Sequence, residues 1–177
     1  MEQDRGRLQG WLASAKAGDD EAFGRLLKAY YPALFRLVFQ IVPSSPDVEE
    51  ILQDAFFRFY RSLPRLRAGE DAFPFLRTVA VRRAYTFLKR RPPETISLDE
   101  VPGDLPALTV SGHALDVRRL YAWAAALPPK RRLVFILREV LGNEDVEVAR
   151  LLGLSPATVR RHASLARQSL EKDLGSP

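Results

Sequence analysis

Residues 92–113, PPETISLDEVPGDLPALTVSGH, constrain the fold more than any other stretch. Pro92, Pro93, Pro102 and Pro106 each remove a backbone donor and push the preceding residue away from helical geometry, and no helical period runs through the segment. It reads as a linker, so the chain is expected to fold as two small bodies, residues 1–91 and 114–177. Charge divides at the same places. The net charge is +5 over residues 1–91, −4 over 92–113 (Glu94, Asp99, Glu100 and Asp104 with no Lys or Arg), and +4 over 114–177. Two basic bodies are thus joined by an acidic strap. As a flexible coil the strap has an r.m.s. span of roughly 26 Å. Fully extended it reaches about 75 Å, comparable to two turns of DNA at ~34 Å each.

The second body ends in NEDVEVARLLGLSPATVRRHASLARQSL. A short helix with Val146, Val148, Ala149 and Leu152 as its apolar positions runs into Gly153-Leu154. Ser155-Pro156 then opens another, because Ser accepts from free N–H groups and Pro at the first helical position gives up a donor that had no partner. Val159, Ala163, Ala166 and Leu170 recur at steps of four, three and four, which makes one inward face. The remaining face carries Thr158, Arg160, Arg161, His162, Ser164, Arg167 and Gln168. Two helices joined by a short Gly-containing turn form a helix-turn-helix, and a basic second helix suits a DNA major groove. A structural hairpin with a solvated arginine face fits the same pattern. Upstream, helices over about 114–126 and over 130–142, closing at Gly142, complete a four-helix unit. The fold class is therefore all-α, in two helical domains.

The overall net charge of +5 suits a polyanionic partner. There is no Cys, and His113 and His162 lie far apart, so disulfides, thiolate sites and a His-rich metal site are excluded. The first residues, MEQDRGRLQGWLASAKAGDDEAF, interrupt every apolar run with charge. Neither a signal peptide nor a membrane span is read there, and a cytosolic location without membrane insertion is expected. The chain's end soon after the last helix leads to no expectation of a further regulatory domain. No Gly-rich phosphate loop, nucleophile–base set or paired catalytic carboxylates stands out. Neither enzymatic activity nor a cofactor is expected.

In the first body a helix is expected near Trp11 and another from Asp19 or Asp20. The second carries a stripe at 23, 26, 27, 30, 34, 37, 38 and 41, with a kink or a restart at Pro32. After Ser44, the segment DVEEILQDAFFRFYRSL has capping-box spacing between Asp47 and Glu50, while Ser45 with Pro46 offers a start two residues earlier. It turns Val48, Ile51, Leu52, Ala55, Phe56, Phe59 and Leu63 inward. Its other face presents Glu49, Glu50, Gln53, Asp54, Phe57, Arg58 and Arg61. The charge gradient suits the helix dipole, but an aromatic Phe57 among charges marks a contact surface. PRLRAGED (64–71) reads as a loop. A helix over 72–91 has one face of Phe73, Leu76, Ala80, Ala84, Phe87 and Leu88. A second stripe of Phe75, Val79, Arg82, Arg83, Thr86 and Arg90 mixes rings with cations, as single-stranded nucleic acid requires, each stacked base contributing roughly 1–3 kcal/mol. Extra core residues and a solvated helix end explain that stripe equally well.

Taken together, DVEEILQDAFFRFY (47–60), AFPFLRTVAVRRAYTFLKRR (72–91) and LPPKRRLVFILREVLGNEDVEVARLLGLSPATVRRHASLARQSL (127–170) resemble bacterial RNA polymerase sigma factors of the extracytoplasmic-function group. The resemblance runs in order from about Ala22 to Leu170, with the linker in the matching place. It implies a region 2-like domain (1–91), a linker that threads toward the catalytic cleft (92–113) and a region 4-like domain (114–177). The implied function is to bind core RNA polymerase, at the largest-subunit clamp helices and the flap region, and direct it to promoter DNA. Asp47, Glu49, Glu50, Gln53, Asp54 and Phe57 would meet the clamp. Arg65, Arg67, Phe75, Val79, Arg82, Arg83, Thr86 and Arg90 would serve the opened minus-ten strand, with the Arg65–Asp71 loop where relatives capture a flipped base at a cost of a few kcal/mol. Ser155, Thr158, Arg160, Arg161, His162, Ser164 and Arg167 would serve the minus-thirty-five element. An anti-sigma factor is a further implied partner.

Some positions depart from the family's pattern. Arg82 and Thr86 stand where Asn and Asp are common, at positions that help hold the melted strand, so an unusual minus-ten preference is expected. On the recognition helix His162 and Leu165 stand where basic residues are common. Each lost phosphate contact lowers the salt slope by about one, so a weaker DNA grip is expected. The alternative reading is a degenerate sigma-like decoy that binds an anti-sigma factor without initiating transcription. An ordinary one-component regulator is disfavoured, because residues 1–91 offer a polymerase-type helix rather than a ligand pocket or dimer helix.

Overall fold

Capping side chains set three of the helix starts in the computed structural model, which describes residues 2–66, 71–90, 109–110, 113–114 and 117–174. In the first unit Glu2–Lys16 (α1) precedes Asp20–Ile41 (α2). The Asp19 carboxylate accepts from Ala22 N at 3.0 Å and fixes the start of α2, as expected. α1 begins well before Trp11, because Leu8 as well as Trp11 and Leu12 find apolar surface to pack against. α2 also runs through Pro32 without restarting. The missing N–H costs one helical bond, but Tyr30 and Leu34 on either side are buried. Tertiary packing of an apolar face contributes most of a helix's stability, and here it overrides the local preference.

Ser45–Ser62 (α3) takes the earlier of the two expected starts rather than the Asp47 capping box, with Ser44 as the extended N-cap residue and Pro46 in the first turn. Val48, Ile51, Leu52, Ala55 and Phe59 are buried as their spacing requires. Phe56 is only half-buried, its ring centroid 6.5 Å from that of Tyr31. A short 3-10 turn, Leu63–Arg65, buries Leu63. Ala72–Arg90 (α4) is opened by Asp71, which accepts from Phe73 N at 2.9 Å and from the Tyr30 hydroxyl at 3.4 Å. This carboxylate ties α2 to the start of α4. Burial, and then the neighbouring Asp71 charge, push the Tyr30 phenol up to about 12.

Of the linker, the structure describes two short strands, Thr109–Val110 (β1) and His113–Ala114 (β2). They pair antiparallel with Thr109 opposite Ala114 and Val110 opposite His113. His113 and Ala114 are thereby taken into a ladder, and the helix expected from Ala114 begins later, as Val117–Ala126 (α5). Pro129–Phe135 (α6) continues into a π turn, Ile136–Val140, where Leu141 N donates five residues back to Ile136 O at 2.9 Å. Gly142, at φ +68°, lets the chain leave that turn. Asn143 then caps it, donating from its backbone N and its Nδ2 to Leu137 O at 3.0 and 2.6 Å.

Asp145–Leu152 (α7) ends at Gly153 in left-handed geometry (φ 66°, ψ 41°), and Pro156–Leu174 (α8) follows. Ser155 caps α8, its hydroxyl accepting from Thr158 N at 3.1 Å. Val159, Ala163, Ala166 and Leu170 form the inward face of α8 as expected. One expectation fails: Val146 is 56% exposed. α7 buries Val148, Ala149 and Leu151, and at about 100° per residue Val146 sits across the helix from Val148 and Leu151. Inside this unit Tyr121 and Arg132 are both buried. Burial brings the Arg132 guanidinium down to about 10 and raises the Tyr121 phenol well above its ordinary value.

The all-α architecture expected from the sequence is present, with β1–β2 the strand content among the described residues. The two units touch. α4 packs on α6 and α7 as well as on α2 and α3, and the buried apolar side chains form one contiguous cluster from Leu12 to Leu170.

Candidate nucleic-acid interface

Three helices carry the candidate residues, and the packing of each decides what it presents. On α3 the buried apolar stripe turns Glu49, Glu50, Gln53 and Phe57 outward. Phe57 is 60% exposed, with the Arg61 guanidinium 5.9 Å from its ring centroid. Asp47 and Asp54 are half-buried. Asp54 pairs with Arg58 on its own helix at 3.2 Å and with Arg83 of α4. A cavity of about 320 Å³ lies between the two helices, lined by Glu50 and Asp54 from α3 and by Arg83, Thr86 and Arg90 from α4. Parts of two expected sites therefore border one groove.

The stripe on α4 does not face a single environment. Phe75, 36% exposed, lies 6.1 Å from the Phe59 ring, and Val79 is half-buried against the core. Arg83 turns toward α3, and the Thr86 hydroxyl donates back to Arg82 O at 3.0 Å. Arg82 turns the other way and donates to backbone carbonyls of α7. Arg90 and Arg65 are exposed, while Arg67 lies outside the described residues. Val81, which belongs to neither expected stripe, is fully buried. α4 is thus covered on a third side that its periodicity did not announce.

On α8 the outward residues include Ser155, Arg160, Arg161 and Ser164, while Thr158, His162, Leu165 and Arg167 are half-buried. Ser155 and Thr158 hold each other at the cap, their hydroxyls 2.8 Å apart. Arg160 lies 3.5 Å from Asp145, and Arg167 lies 3.7 Å from Glu139. Arg138 joins these acids, donating to Asp145 Oδ1 at 2.6 Å and pairing with Glu139. The hydrogen bond from Arg138, with Arg160 nearby, holds the Asp145 carboxyl below the usual carboxylate range. Sequence reading missed this network, because Asp145 and Glu139 look like ordinary helix-end charges until the turn folds them under α8.

Burial, and then the charges of Lys130, Arg131 and Arg161, hold the His162 imidazole below its ordinary value of 6.5. It is therefore neutral at pH 7. Among the described residues no His, Cys, Asp or Glu cluster is placed to hold a metal, and no helix is long and apolar enough to cross a membrane. The described surface presents exposed cations on α4 and α8, and on α3 a face where Phe57 stands exposed among charged side chains.

Comparison with known proteins assigns the two parts of the chain to known regional models. Residues 26–92 match the model for Sigma-70 region 2, and residues 118–170 match the model for Sigma-70, region 4. A probable RNA polymerase sigma factor, RfaY, of Xanthomonas campestris pv. campestris is 30% identical over 171 residues, covering 92% of this chain and 43% of that protein. The ECF RNA polymerase sigma-E factor of Escherichia coli is 29% identical over 167 residues, covering 87% of each. In fold the chain resembles the sigma factor RpoE of Bartonella quintana, solved with the anti-sigma factor NepR. That likeness has a TM-score of 0.59 at 20% identity, over 86% of this chain and 96% of the other. With both regional models matched in order across most of its length, the chain belongs to the sigma-70 family of RNA polymerase sigma factors, in the extracytoplasmic-function group.

Proposed function

We propose that this chain is a transcription initiation factor that binds core RNA polymerase and directs it to specific promoters. Its first domain, residues 1–91, engages the polymerase clamp through the outer face of α3 and opens the minus-ten region along α4. Residues 92–113 link it to a second domain, 114–177, which reads the minus-thirty-five element with α8. It acts in the cytoplasm, where the polymerase works, and an anti-sigma factor is the partner expected to restrain it. Sigma factors are initiation factors rather than catalysts, and the roles given to these residues are binding roles.

The observation that carries the reading is Phe57, 60% exposed on a face whose other exposed members are Glu49, Glu50, Gln53, Arg58 and Arg61. A large apolar ring left in water among charged and polar side chains makes sense where a partner covers it. Glu50 is exposed, so its replacement tests the face without disturbing the core. Glu50→Lys is expected to leave the circular-dichroism spectrum unchanged and to weaken binding to purified core polymerase by at least about tenfold, ~1.4 kcal/mol. Unchanged affinity sinks the assignment of that face. If the parent chain forms no core complex and gives no run-off transcript from any promoter of its source genome, the initiation-factor reading itself is wrong.

A further inference from the structure

Two carboxylates lie under the outer face of α8, and both are shared. Arg138, on the π turn, is their hub. Its Nε donates to Asp145 Oδ1 at 2.6 Å, and its Nη1 pairs with Glu139. Each acid keeps a second, looser neighbour on α8. Asp145 Oδ2 lies 3.5 Å from Arg160 Nη1, and Glu139 Oε1 lies 3.7 Å from Arg167 Nε. Arg160 and Arg167 are seven positions apart, so they stand on one side of α8, about 10.5 Å apart along its axis.

Burial separates the partners. The Glu139 and Asp145 side chains are 16% and 20% exposed, whereas those of Arg167 and Arg160 are 43% and 61% exposed. The acids are fixed from beneath by Arg138, and the arginines are held from one side only. An open cleft of about 600 Å³, lined by Arg138, Glu139, Asp145 and Arg160 among others, leaves Arg160 room to turn away. Turning away gives up an exposed ion pair, whose worth is up to about fivefold in an equilibrium. Such a bias does not hold off a well-placed partner, but it disfavours a casual one.

The casual partner of a DNA-binding helix is the phosphate, which every duplex offers alike. Sequence-independent affinity grows with the number of phosphates neutralised, while discrimination comes from base edges. We propose that Glu139 and Asp145 are specificity-determining residues: they draw Arg167 and Arg160 back from backbone phosphates, so that α8 binds duplex DNA of arbitrary sequence more weakly than its charge implies. In a complex whose register is fixed by base contacts, an arginine meets only the phosphates which that register brings to it. On an arbitrary duplex the helix settles wherever its cations are best satisfied. Release of the arginines therefore favours the arbitrary duplex more, and the ratio between the two affinities falls. The gain in discrimination rests on the function proposed above; the restraint on the two arginines does not.

On a random-sequence duplex, the full chain carrying Asp145→Asn is expected to bind up to about fivefold more tightly, with a slope of log affinity against log salt steeper by about one. In an Arg160→Gln background the same change should have no effect, because the gain runs through Arg160. Glu139→Gln should repeat the result and lose it in an Arg167→Gln background. Circular dichroism read beside each variant shows whether it folds; should one acid be needed for folding, the other pair decides. A duplex enriched from a randomised pool by the parent chain with core polymerase should gain less than the random duplex in each single variant. A gain that survives loss of the arginine is plain relief of repulsion and overturns the proposal. Unchanged salt slopes, or equal gains on both duplexes, overturn it too. A parent that enriches no sequence overturns the proposed function and leaves the salt-slope result standing.

Discussion

α4 and α8 are each 19 residues long, rich in arginine and opened by a side-chain cap, yet they sit in the fold differently. α8 buries one narrow face, Val159, Ala163, Ala166 and Leu170, and leaves Arg160, Arg161 and Ser164 outward. α4 buries Leu76, Ala80 and Ala84 against its own unit and Val81 as well, and three of its arginines are committed to neighbours on both sides. Arg83 holds Asp54 of α3, while Arg77 and Arg82 hold α7. A basic helix is available to a polyanion only if its cations are free or loosely held. By that criterion α8 is ready for a partner, and α4 must first give up contacts within the chain.

The most severe test of this contrast is whether the two units keep separate stabilities. Each holds one of the chain's two tryptophans, Trp11 on α1 and Trp123 on α5. Trp123 is well placed as a probe, edge-on to Phe135 with centroids 5.0 Å apart and its indole N–H donating to Asp173 at 3.1 Å. Leu76 and Leu133 are both fully buried, so Leu76→Ala and Leu133→Ala should each cost about 2–5 kcal/mol. In urea titrations of single-tryptophan forms made by Trp123→Phe and Trp11→Phe, each substitution should lower the transition of its own unit. If both substitutions lower both transitions equally, the units unfold together, and the contrast between an open and a covered helix loses its thermodynamic basis.

A smaller effect separates cations within α8. Arg160 is shared with Asp145 at 3.5 Å, whereas the Arg161 charge acts on His162, whose pKa it helps to lower. A phosphate contact from Arg160 is offset by the contact it leaves behind. Arg161→Ala should lower the slope of log affinity against log salt by about one unit. Arg160→Ala should lower the affinity itself by less than Arg161→Ala does. Equal losses at every salt concentration would mean that the Asp145 pairing is irrelevant in solution.

The same contrast marks what the sequence could reveal. The helix-turn-helix was legible because its determinants are local: Ser155-Pro156 for the start, Gly153 for the turn, and a four-three-four apolar step for the buried face. The polar face of α3, with Phe57 out of place on it, was legible for the same reason. The cover on α4 was not, since Arg77 reaches Asn143 and Glu147, and Arg82 reaches Arg150 and Leu151, across 66 to 70 residues of sequence. No period in residues 72–91 encodes a docking partner that lies beyond a proline-rich linker. α1 was placed too short and Val146 was placed in the core for a related reason. Apolar residues at plausible spacing do not say which of them will find a surface to cover.

His162 gives the smallest effect, and one in which stability and binding respond to pH in opposite senses. It lies on α8 facing Lys130 and Arg131 of α6, with Arg161 beside it, and these cations together with burial lower its pKa. An unfolded chain releases that environment, so between the ordinary value of 6.5 and the lower folded value the unfolded state binds more protons. His162 therefore contributes stability that is fully present above pH 6.5 and is lost as pH falls through the folded pKa. A DNA phosphate reaching the same site supplies negative charge and favours the imidazolium. Binding of the second domain to duplex DNA should then tighten as pH falls below 6.5, even while that domain becomes less stable. His162→Ala should flatten both trends, and His162→Arg should make binding independent of pH in this range and steepen the salt slope by about one. Fluorescence anisotropy at several pH values, read beside urea midpoints at the same values, follows both. If binding and stability weaken together as pH falls, no phosphate reaches His162, and the reading face of α8 is narrower than its exposed arginines suggest.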